Sequence, residues 1–525
     1  IYPMSFCDSN GDGIGDLPGI ISRLDYLQKL GVGALWLSPV YPSPNKDNGY
    51  DISDYCNIHP NYGTLQDMDT LIAEAKKRDI RIIMDLVINH TSDQHEWFQK
   101  SRRRIEPYTD YYIWREGEKG KKPTNWGNFF GGDCWEHDDL RGEYYLHLFA
   151  KEQPDLNYHN EAVIEAIEEA MHFWLERGVA GFRCDVINII YKEAIKNGKW
   201  RPALTGSEYY LSTPGCHRVL HHLHEDVLAK YDAFTVGETV FVTPKMADDL
   251  VNSARGELST VFAFEHMETD CYKIKWFLRR FSPDRFFACL TKWQKALPWN
   301  TVYLENHDQP RSVSRFGNDT QYHDESAKAL ATLVLTLRGT PFLYEGQEIG
   351  MTNFDFSDME KVQDVESINI WNMGKQLHLP YSLRWRMIKT KSRDNARTPM
   401  QWNDSPNAGF TTGTPWLSVN GNYPRINVAE QENAPNSVLA YYRQLIAFRN
   451  GSEILQAGDF SELYRKDGVY AYRRSLNVES LIVVISLSAK ERPNPVSGTV
   501  VLSNYGRQES PACLSPYEAL ILREV

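Results

Sequence analysis

Four segments of this chain end an apolar run on residues able to move protons or carry charge: Asp85-Leu-Val-Ile-Asn89-His90, Arg183-Cys-Asp185, Gly237-Glu238-Thr239 and Glu305-Asn306-His307-Asp308. In Gly181-Phe182-Arg183-Cys184-Asp185-Val186 the arginine and the carboxylate are two residues apart, so along a strand they face the same way. A guanidinium beside a carboxylate keeps it ionised, as a carboxylate nucleophile requires. An isolated Arg-x-Asp is more often a structural ion pair, and a lone His90 a satisfied polar group at a strand end. Four such endings in order along one chain point instead to a shared rim.

The elements that must position these residues alternate. Strand-like runs are expected at Ile1 to Phe6, Ala34 to Val40, Arg81 to Ile88, Gly181 to Ile187, Phe234 to Val240, Thr260 to Phe264, Thr301 to Glu305 and Pro341 to Tyr344. Helical runs lie between them. Ile21 to Leu30 is one; Met68, Leu71, Ile72 and Ala75 repeat at helical spacing behind a Thr64/Asp67 capping box; Ile164, Ile167, Met171, Trp174 and Leu175 line a helix from Glu161 to Arg177 that stops at Gly178. Eight such units predict an α/β fold, a parallel (β/α)8 barrel whose working face is the C-terminal rim of the strands. Residues 91–158, rich in Trp, Tyr and Gly, break the repeat and read as an inserted domain between strands three and four. A helix near Ser437 to Arg449 precedes short alternating strands at 468–473, 481–487, 499–502 and 519–522, an all-β C-terminal sandwich. The expected domains are therefore a barrel at 1–90 and 159–450, the insert at 91–158 and the β domain at 451–525.

Composition narrows the function classes. The 525 residues carry 57 Lys and Arg against 69 Asp and Glu, a net charge of -12 that disfavours nucleic acid and anionic membranes as partners. The longest clean apolar run, Leu481 to Ile485, is far too short to span a bilayer. Eight scattered cysteines with no C-x-x-C pair, and no leader-like stretch at Ile1, point to free thiols in a reducing cytoplasm. No organic cofactor motif is present, and a monomer is expected.

Near the start, Asp8-Ser-Asn10-Gly-Asp12-Gly13-Ile14-Gly-Asp16 places oxygen donors at alternate positions, a glycine at the sixth and a backbone carbonyl at the seventh, the logic of a calcium loop. The twelfth position is Gly19 instead of the glutamate of an EF-hand. The expectation is a structural Ca2+, or Mg2+, against the competing reading of a solvated acidic turn.

With these motifs the sequence resembles the α-amylase family, glycoside hydrolase family 13, along the whole chain. Gln153-Pro-Asp-Leu-Asn157, Asp47-Asn-Gly-Tyr50-Asp51 and Asp394-Asn-Ala-Arg397-Thr-Pro-Met-Gln-Trp402 resemble its oligo-1,6-glucosidase and dextran glucosidase branch. The resemblance implies a retaining glycosidase with Asp185 as nucleophile, Glu238 as acid/base and Asp308 as stabiliser of the oxocarbenium-like state, with the carboxyls of Asp185 and Glu238 about 5 to 5.5 Å apart. Crowded carboxylates raise one another's pKa, and Arg183 is expected to hold Asp185 down. The resemblance further assigns sugar contacts to His90 and His307, stacking to Tyr50, closure of the side to Phe130, and the non-reducing-end hydroxyls to Asp47 and Arg397, for which an ordinary loop salt bridge is the alternative.

Asn188 and Ile189 stand where the family usually has Lys and His, which argues against an extended product side. Glu366 resembles a product-side residue. Val186 holds the position where, within the branch, valine accompanies α-1,6 and threonine α-1,4 preference. These features imply exo-release of glucose from short α-1,6-linked oligosaccharides. Sucrose isomerase, trehalose-6-phosphate hydrolase, a broad α-1,4/α-1,6 glucosidase and a catalytically inert interaction module are the competing assignments.

Overall fold

The computed structural model describes residues 1–117, 121–201, 204–272 and 274–524. They gather into two compact units, Gly33–Ala263, and Ile1–Val32 with Phe264–Val525.

The unit Gly33–Ala263 holds strands β1 (Ala34–Leu37), β2 (Arg81–Leu86), β3 (Trp114–Arg115), β4 (Trp135–Asp138), β5 (Glu143–Leu146), β6 (Gly181–Cys184), β7 (Phe234–Glu238) and β8 (Thr260–Phe262). Five of them form a parallel sheet in the order β1-β2-β6-β7-β8. Register decides which side chains meet. Asp85 pairs with Arg183 and Arg183 with Val236, so Asp85 and Arg183 lie side by side, and Asp185 and Glu238 emerge just beyond, where the strands end. The Asp185 N–H donates to Leu86 O at 2.9 Å, prolonging the ladder to the first residue past β6. Every residue of β6 is buried, as expected of a central parallel strand covered on both faces. Gly181 opens β6 at φ 152° with Phe234 O only 1.9 Å from where a Cβ would sit, so β7 approaches closely because this residue has no side chain.

The helix Leu65–Lys76 carries the expected capping box and buries Met68, Leu71, Ile72 and Ala75. The helix Glu161–Glu176 is capped by Asn160 and buries Ile167, Met171, Trp174 and Leu175; Val163 is buried where Ile164 was expected to be. The inserted stretch forms a three-stranded antiparallel sheet, β3-β5-β4. Its core of Ile113, Trp126, Cys134, Trp135, Leu146 and Leu148 includes Val186 and Ile189, so the insert packs on the segment that follows Asp185.

In the unit Ile1–Val32 with Phe264–Val525, β9 (Cys271–Tyr272) pairs antiparallel with β10 (Ile274–Leu278), and β11 (Thr301–Val302) pairs parallel with β12 (Thr340–Pro341). The C-terminal strands are β13 (Asp459–Lys466), β14 (Val469–Leu476), β15 (Glu479–Ser486), β16 (Arg492–Pro493), β17 (Thr499–Ser503), β18 (Cys513–Leu514) and β19 (Ala519–Arg523). They form an antiparallel sheet, β13-β14-β15-β19-β17, and a β16-β18 pair whose Leu514 joins Val469, Ala471, Ile482, Val484, Leu520 and Leu522 in a common core.

Ile1 to Phe6 is not the strand expected. Pro3–Phe6 is a helical turn, begun by a proline whose fixed φ and missing N–H suit the first helical position. No helix among the described residues is long and apolar enough to cross a membrane.

Candidate active site

Arg183 is 2 % exposed and touches three carboxylates. Its Nη1 donates to Asp85 Oδ1 and Oδ2 at 2.9 and 3.0 Å and to Asp185 Oδ1 at 2.7 Å; its Nη2 donates to Glu238 Oε2. The guanidinium lies over the rings of Trp36 and Tyr50, 5.0 and 5.7 Å from their centroids. Trp36 Nε1 and the Tyr50 hydroxyl both donate to Asp85 Oδ2, at 3.2 and 3.1 Å. Asp85 thus locks Arg183, and Arg183 presents its remaining donors to Asp185 and Glu238.

One expectation changes here. Asp185 is pushed well above the usual carboxylate range: burial is the largest cause, Arg183 opposes it, and Glu238 and Asp85 add to it. The guanidinium does not win, because one positive charge is divided among three buried carboxylates. The carboxyls of Asp185 and Glu238 both contact the one Arg183 guanidinium, which makes them neighbours.

Val186, directly after Asp185, sits at φ 35° and ψ 39°, a left-handed conformation that a β-branched residue rarely adopts. Its packing in the insert's core holds it there, and its N–H lies 3.4 Å from Glu238 Oε2. Asn188 is a pin: its amide donates to Val240 O at 2.9 Å and accepts from Val240 N at 3.0 Å, tying the segment after β6 to that after β7.

The loop 47–51 is organised by Asp51, which accepts hydrogen bonds from Ser43 Oγ, Lys46 N and Asp47 N and whose pKa burial pushes up to about 6. Gln153 joins this loop to His90: its Nε2 is 3.1 Å from Tyr50 O, 3.4 Å from Asp47 Oδ2 and 3.1 Å from His90 Nε2. Burial lowers His90 to a pKa of about 4, so the ring is neutral at ordinary pH. Phe149 packs on His90 with ring centroids 5.1 Å apart, and Phe130 meets Phe149 edge-on at 5.8 Å. Asp185, Glu238, Arg183, Val186, Asp47, Tyr50, His90 and Phe130 therefore all fall in one connected neighbourhood of the unit Gly33–Ala263.

A second neighbourhood lies in the unit Ile1–Val32 with Phe264–Val525. Asp308 receives His307 Nε2 at 3.1 Å, Arg397 Nη2 at 2.7 Å and Arg393 Nη1 at 3.5 Å. Burial alone would raise its pKa, but His307, Arg393 and Arg397 together outweigh burial and hold Asp308 well below the usual range. Tyr2 stacks on His307 with centroids 6.0 Å apart. Arg393 also grips Asp364, at 2.7 Å, which caps the helix Val365–Gln376 carrying Glu366. Glu366 accepts from Lys275 Nζ at 2.7 Å and Trp276 Nε1 at 3.1 Å.

In the loop 8–16, Asp8 accepts the amides of Asn10, Gly11 and Gly13, Asn10 accepts that of Asp12, and Asp12 that of Ile14; Asp16 caps the helix Leu17–Ser22 through the Gly19 amide. The donors are all oxygen, the kind a hard cation takes. Among the described residues the one group of three His, Cys, Asp or Glu ligands within 4.8 Å of one another is Glu168, His222 and Asp226, so the loop's carboxylates are not already gathered.

The α-amylase catalytic-domain model matches residues 1–458. The chain belongs to the α-amylase family. Across its whole length it is 48 % identical to an oligo-1,6-glucosidase of Parageobacillus thermoglucosidasius, covering 97 % of that protein. Trehalose-6-phosphate hydrolase of Bacillus licheniformis superimposes on all of the chain and 98 % of itself, with a TM-score of 0.95 at 41 % identity. Isomaltulose synthase from Klebsiella sp. LX3 superimposes on 99 % of the chain and 97 % of itself, with a TM-score of 0.96 at 40 % identity. The fold is the α-amylase (β/α)8 barrel with a C-terminal antiparallel β domain. Lys192, Arg393 and Asp364 adjoin these residues and were not singled out by motif reading, and Asp85 was quoted only as the start of the segment that ends in His90. For Asp85 a signal existed, a carboxylate inside the apolar run Ile82-Ile83-Met84-Asp85-Leu86.

The raised pKa of Asp185 has a testable sign. Folded, Asp185 keeps its proton to higher pH than a free aspartate at about 3.9, so as pH climbs above about 4 the unfolded chain releases its proton first and stability falls. Asp185→Asn is expected to abolish turnover and to raise the unfolding temperature over wild type at pH 7, with the advantage shrinking towards pH 4. Calorimetry at both pH values checks this, and a variant less stable than wild type at pH 7 contradicts it.

Proposed function

We propose that this protein is a retaining, exo-acting α-glucosidase that releases glucose from the non-reducing end of short α-1,6-linked gluco-oligosaccharides such as isomaltose. The observation that carries the proposal is full-length identity with oligo-1,6-glucosidases, in a chain that brings two carboxyls onto one buried arginine at adjacent strand ends.

In the proposed mechanism Asp185 attacks the anomeric carbon while Glu238 protonates the glycosidic oxygen; Glu238 then takes a proton from the water that releases glucose. As the acid, Glu238 carries the proton at the moment of attack. A sugar entering between the two carboxyls separates them, leaving Asp185 paired to Arg183 and anionic. Asp308, already held anionic by His307, Arg393 and Arg397, is assigned to the ring hydroxyls and to the positive charge of the transition state. Asp47 and Arg397 are assigned to the terminal glucose, and Glu366 to the leaving sugar. The chain is proposed to act as a monomer in the cytoplasm, in keeping with its eight free cysteines, six of them buried.

Linkage preference is assigned to Val186. Threonine is nearly isosteric and is expected to tolerate the same left-handed backbone, but its hydroxyl offers the leaving sugar a hydrogen bond. One such bond is worth about 0.5 to 1.5 kcal/mol, a shift of roughly tenfold at most. Wild type is expected to prefer isomaltose over maltose in kcat/KM, with Val186→Thr raising relative activity on maltose. Faster maltose than isomaltose hydrolysis by wild type overturns the linkage assignment. Isomerised products from sucrose, or cleavage confined to trehalose 6-phosphate, would move the protein to one of the competing reactions.

We also propose that Asp8, Asn10, Asp12, the Ile14 carbonyl and Asp16 hold a structural Ca2+, or Mg2+ in its place. Chelation is expected to lower the unfolding temperature, and calcium to restore it; metal analysis finding no divalent ion, with no effect of chelator, overturns the site.

A further inference from the structure

The Lys192 and Asp155 side chains are both fully buried, with 0 % exposure each, and Lys192 Nζ is 2.6 Å from Asp155 Oδ2. Burying an ammonium is costly unless every hydrogen finds a partner. Besides this ion pair, Lys192 Nζ donates to Asn89 Oδ1, at 2.7 Å, and to Ile190 O, at 3.4 Å. One cation thus joins the segment after β2, the segment after β6 and the insert.

A lysine ammonium can only donate, so the Asn89 atom facing it must be the carbonyl oxygen. That orients the other end of the amide: Asn89 Nδ2 lies 3.1 Å from His90 Nδ1, which can then only accept. The proton of the neutral ring is therefore on Nε2, where Tyr50 O lies 3.1 Å away. Gln153 does not by itself choose the tautomer. Its Oε1 accepts from Ala150 N at 3.0 Å, so its Nε2 faces the site, 3.1 Å from both Tyr50 O and His90 Nε2. The opposite tautomer would let Nε2 accept from Gln153, but it would set Nδ1–H against the Asn89 amide hydrogens and bare Nε2 against the Tyr50 oxygen.

We propose that Lys192 is a positioning residue that acts through Asn89 to fix His90 in its Nε2–H tautomer, with the proton on the face shared with Tyr50, Gln153 and Asp47. This rests on the reading of His90 as a sugar contact, where the one Nε2–H would be shared between Tyr50 O and a ring hydroxyl.

The test combines tautomer and kinetics. In protein labelled with 15N-histidine, the resonances absent from a His90→Asn variant report the ring. Wild type is expected to show a protonated Nε2 and a bare, hydrogen-bonded Nδ1. Lys192→Met with Asp155→Asn removes the buried pair without leaving a lone charge; the Nδ1 resonance is expected to lose its hydrogen-bonded shift, and KM for isomaltose to rise about two- to tenfold with kcat changed less than twofold. Asn89→Asp, which keeps the shape but can only accept, is expected to put a proton on Nδ1. A wild-type ring already protonated at Nδ1, or an unchanged Nδ1 in both variants, overturns the role of Lys192. Altered resonances with unchanged KM uphold that role and remove His90 from the sugar contacts.

Discussion

One buried guanidinium among three buried carboxylates is the constraint on which the site depends. Asp85, Asp185 and Glu238 bring three potential negative charges to Arg183, and burial denies them water. The arrangement is stable only if part of that charge is carried as a bound proton, and the raised pKa of Asp185 is how the cluster does so. Arg183 acts less by lowering a pKa than by holding geometry: bonds to Asp85, backed by Trp36 and Tyr50, leave its other donors aimed at Asp185 and Glu238. Asp308 shows the opposite balance. It is one carboxylate among cationic groups, and it stays anionic. The two environments set carboxyls with different duties apart without any difference in their chemistry.

The rest of the fold can be traced to that cluster. Parallel register sets Asp85 beside Arg183, Gly181 lets β7 approach, and the core of the insert holds Val186 in a backbone state it would not choose alone. Solved neighbours named for trehalose-6-phosphate hydrolysis and for isomaltulose synthesis superimpose on nearly all of this chain. Backbone alone therefore does not choose among these reactions. The choice is assigned instead to side chains, with Val186 after β6 and Glu366 in the helix Val365–Gln376 as the proposed determinants, and to the hydrogen-bond direction proposed for Lys192, Asn89 and His90.

Much of this was legible in the sequence wherever a local rule governs. The capping box at Thr64 and Asp67, apolar periodicity in the helices and the strand-end motifs all reappear in the structure. Ile1 to Phe6 misled because an apolar hexapeptide reads equally as strand or helix, and Pro3 decided it. The edge strand β13 was missed because Asp-Phe-Ser-Glu-Leu-Tyr-Arg-Lys buries little and so shows little apolar signal. Asp185's pKa could not be read from Arg-x-Asp alone, since its sign depends first on burial and then on Glu238 and Asp85, which are distant in sequence. Lys192 carries no motif; its role is created by burial and by partners far apart along the chain.

The most direct test of the account is to trap the glucosyl-enzyme. A 5-fluoro-α-glucosyl fluoride forms the covalent ester readily and releases it slowly, so peptide mass mapping can locate the sugar. The account predicts one added fluoroglucosyl group, on the carboxylate of Asp185 in the segment Phe182-Arg183-Cys184-Asp185. A label on another carboxylate, or turnover of the reagent with inversion and no labelled peptide, would contradict it.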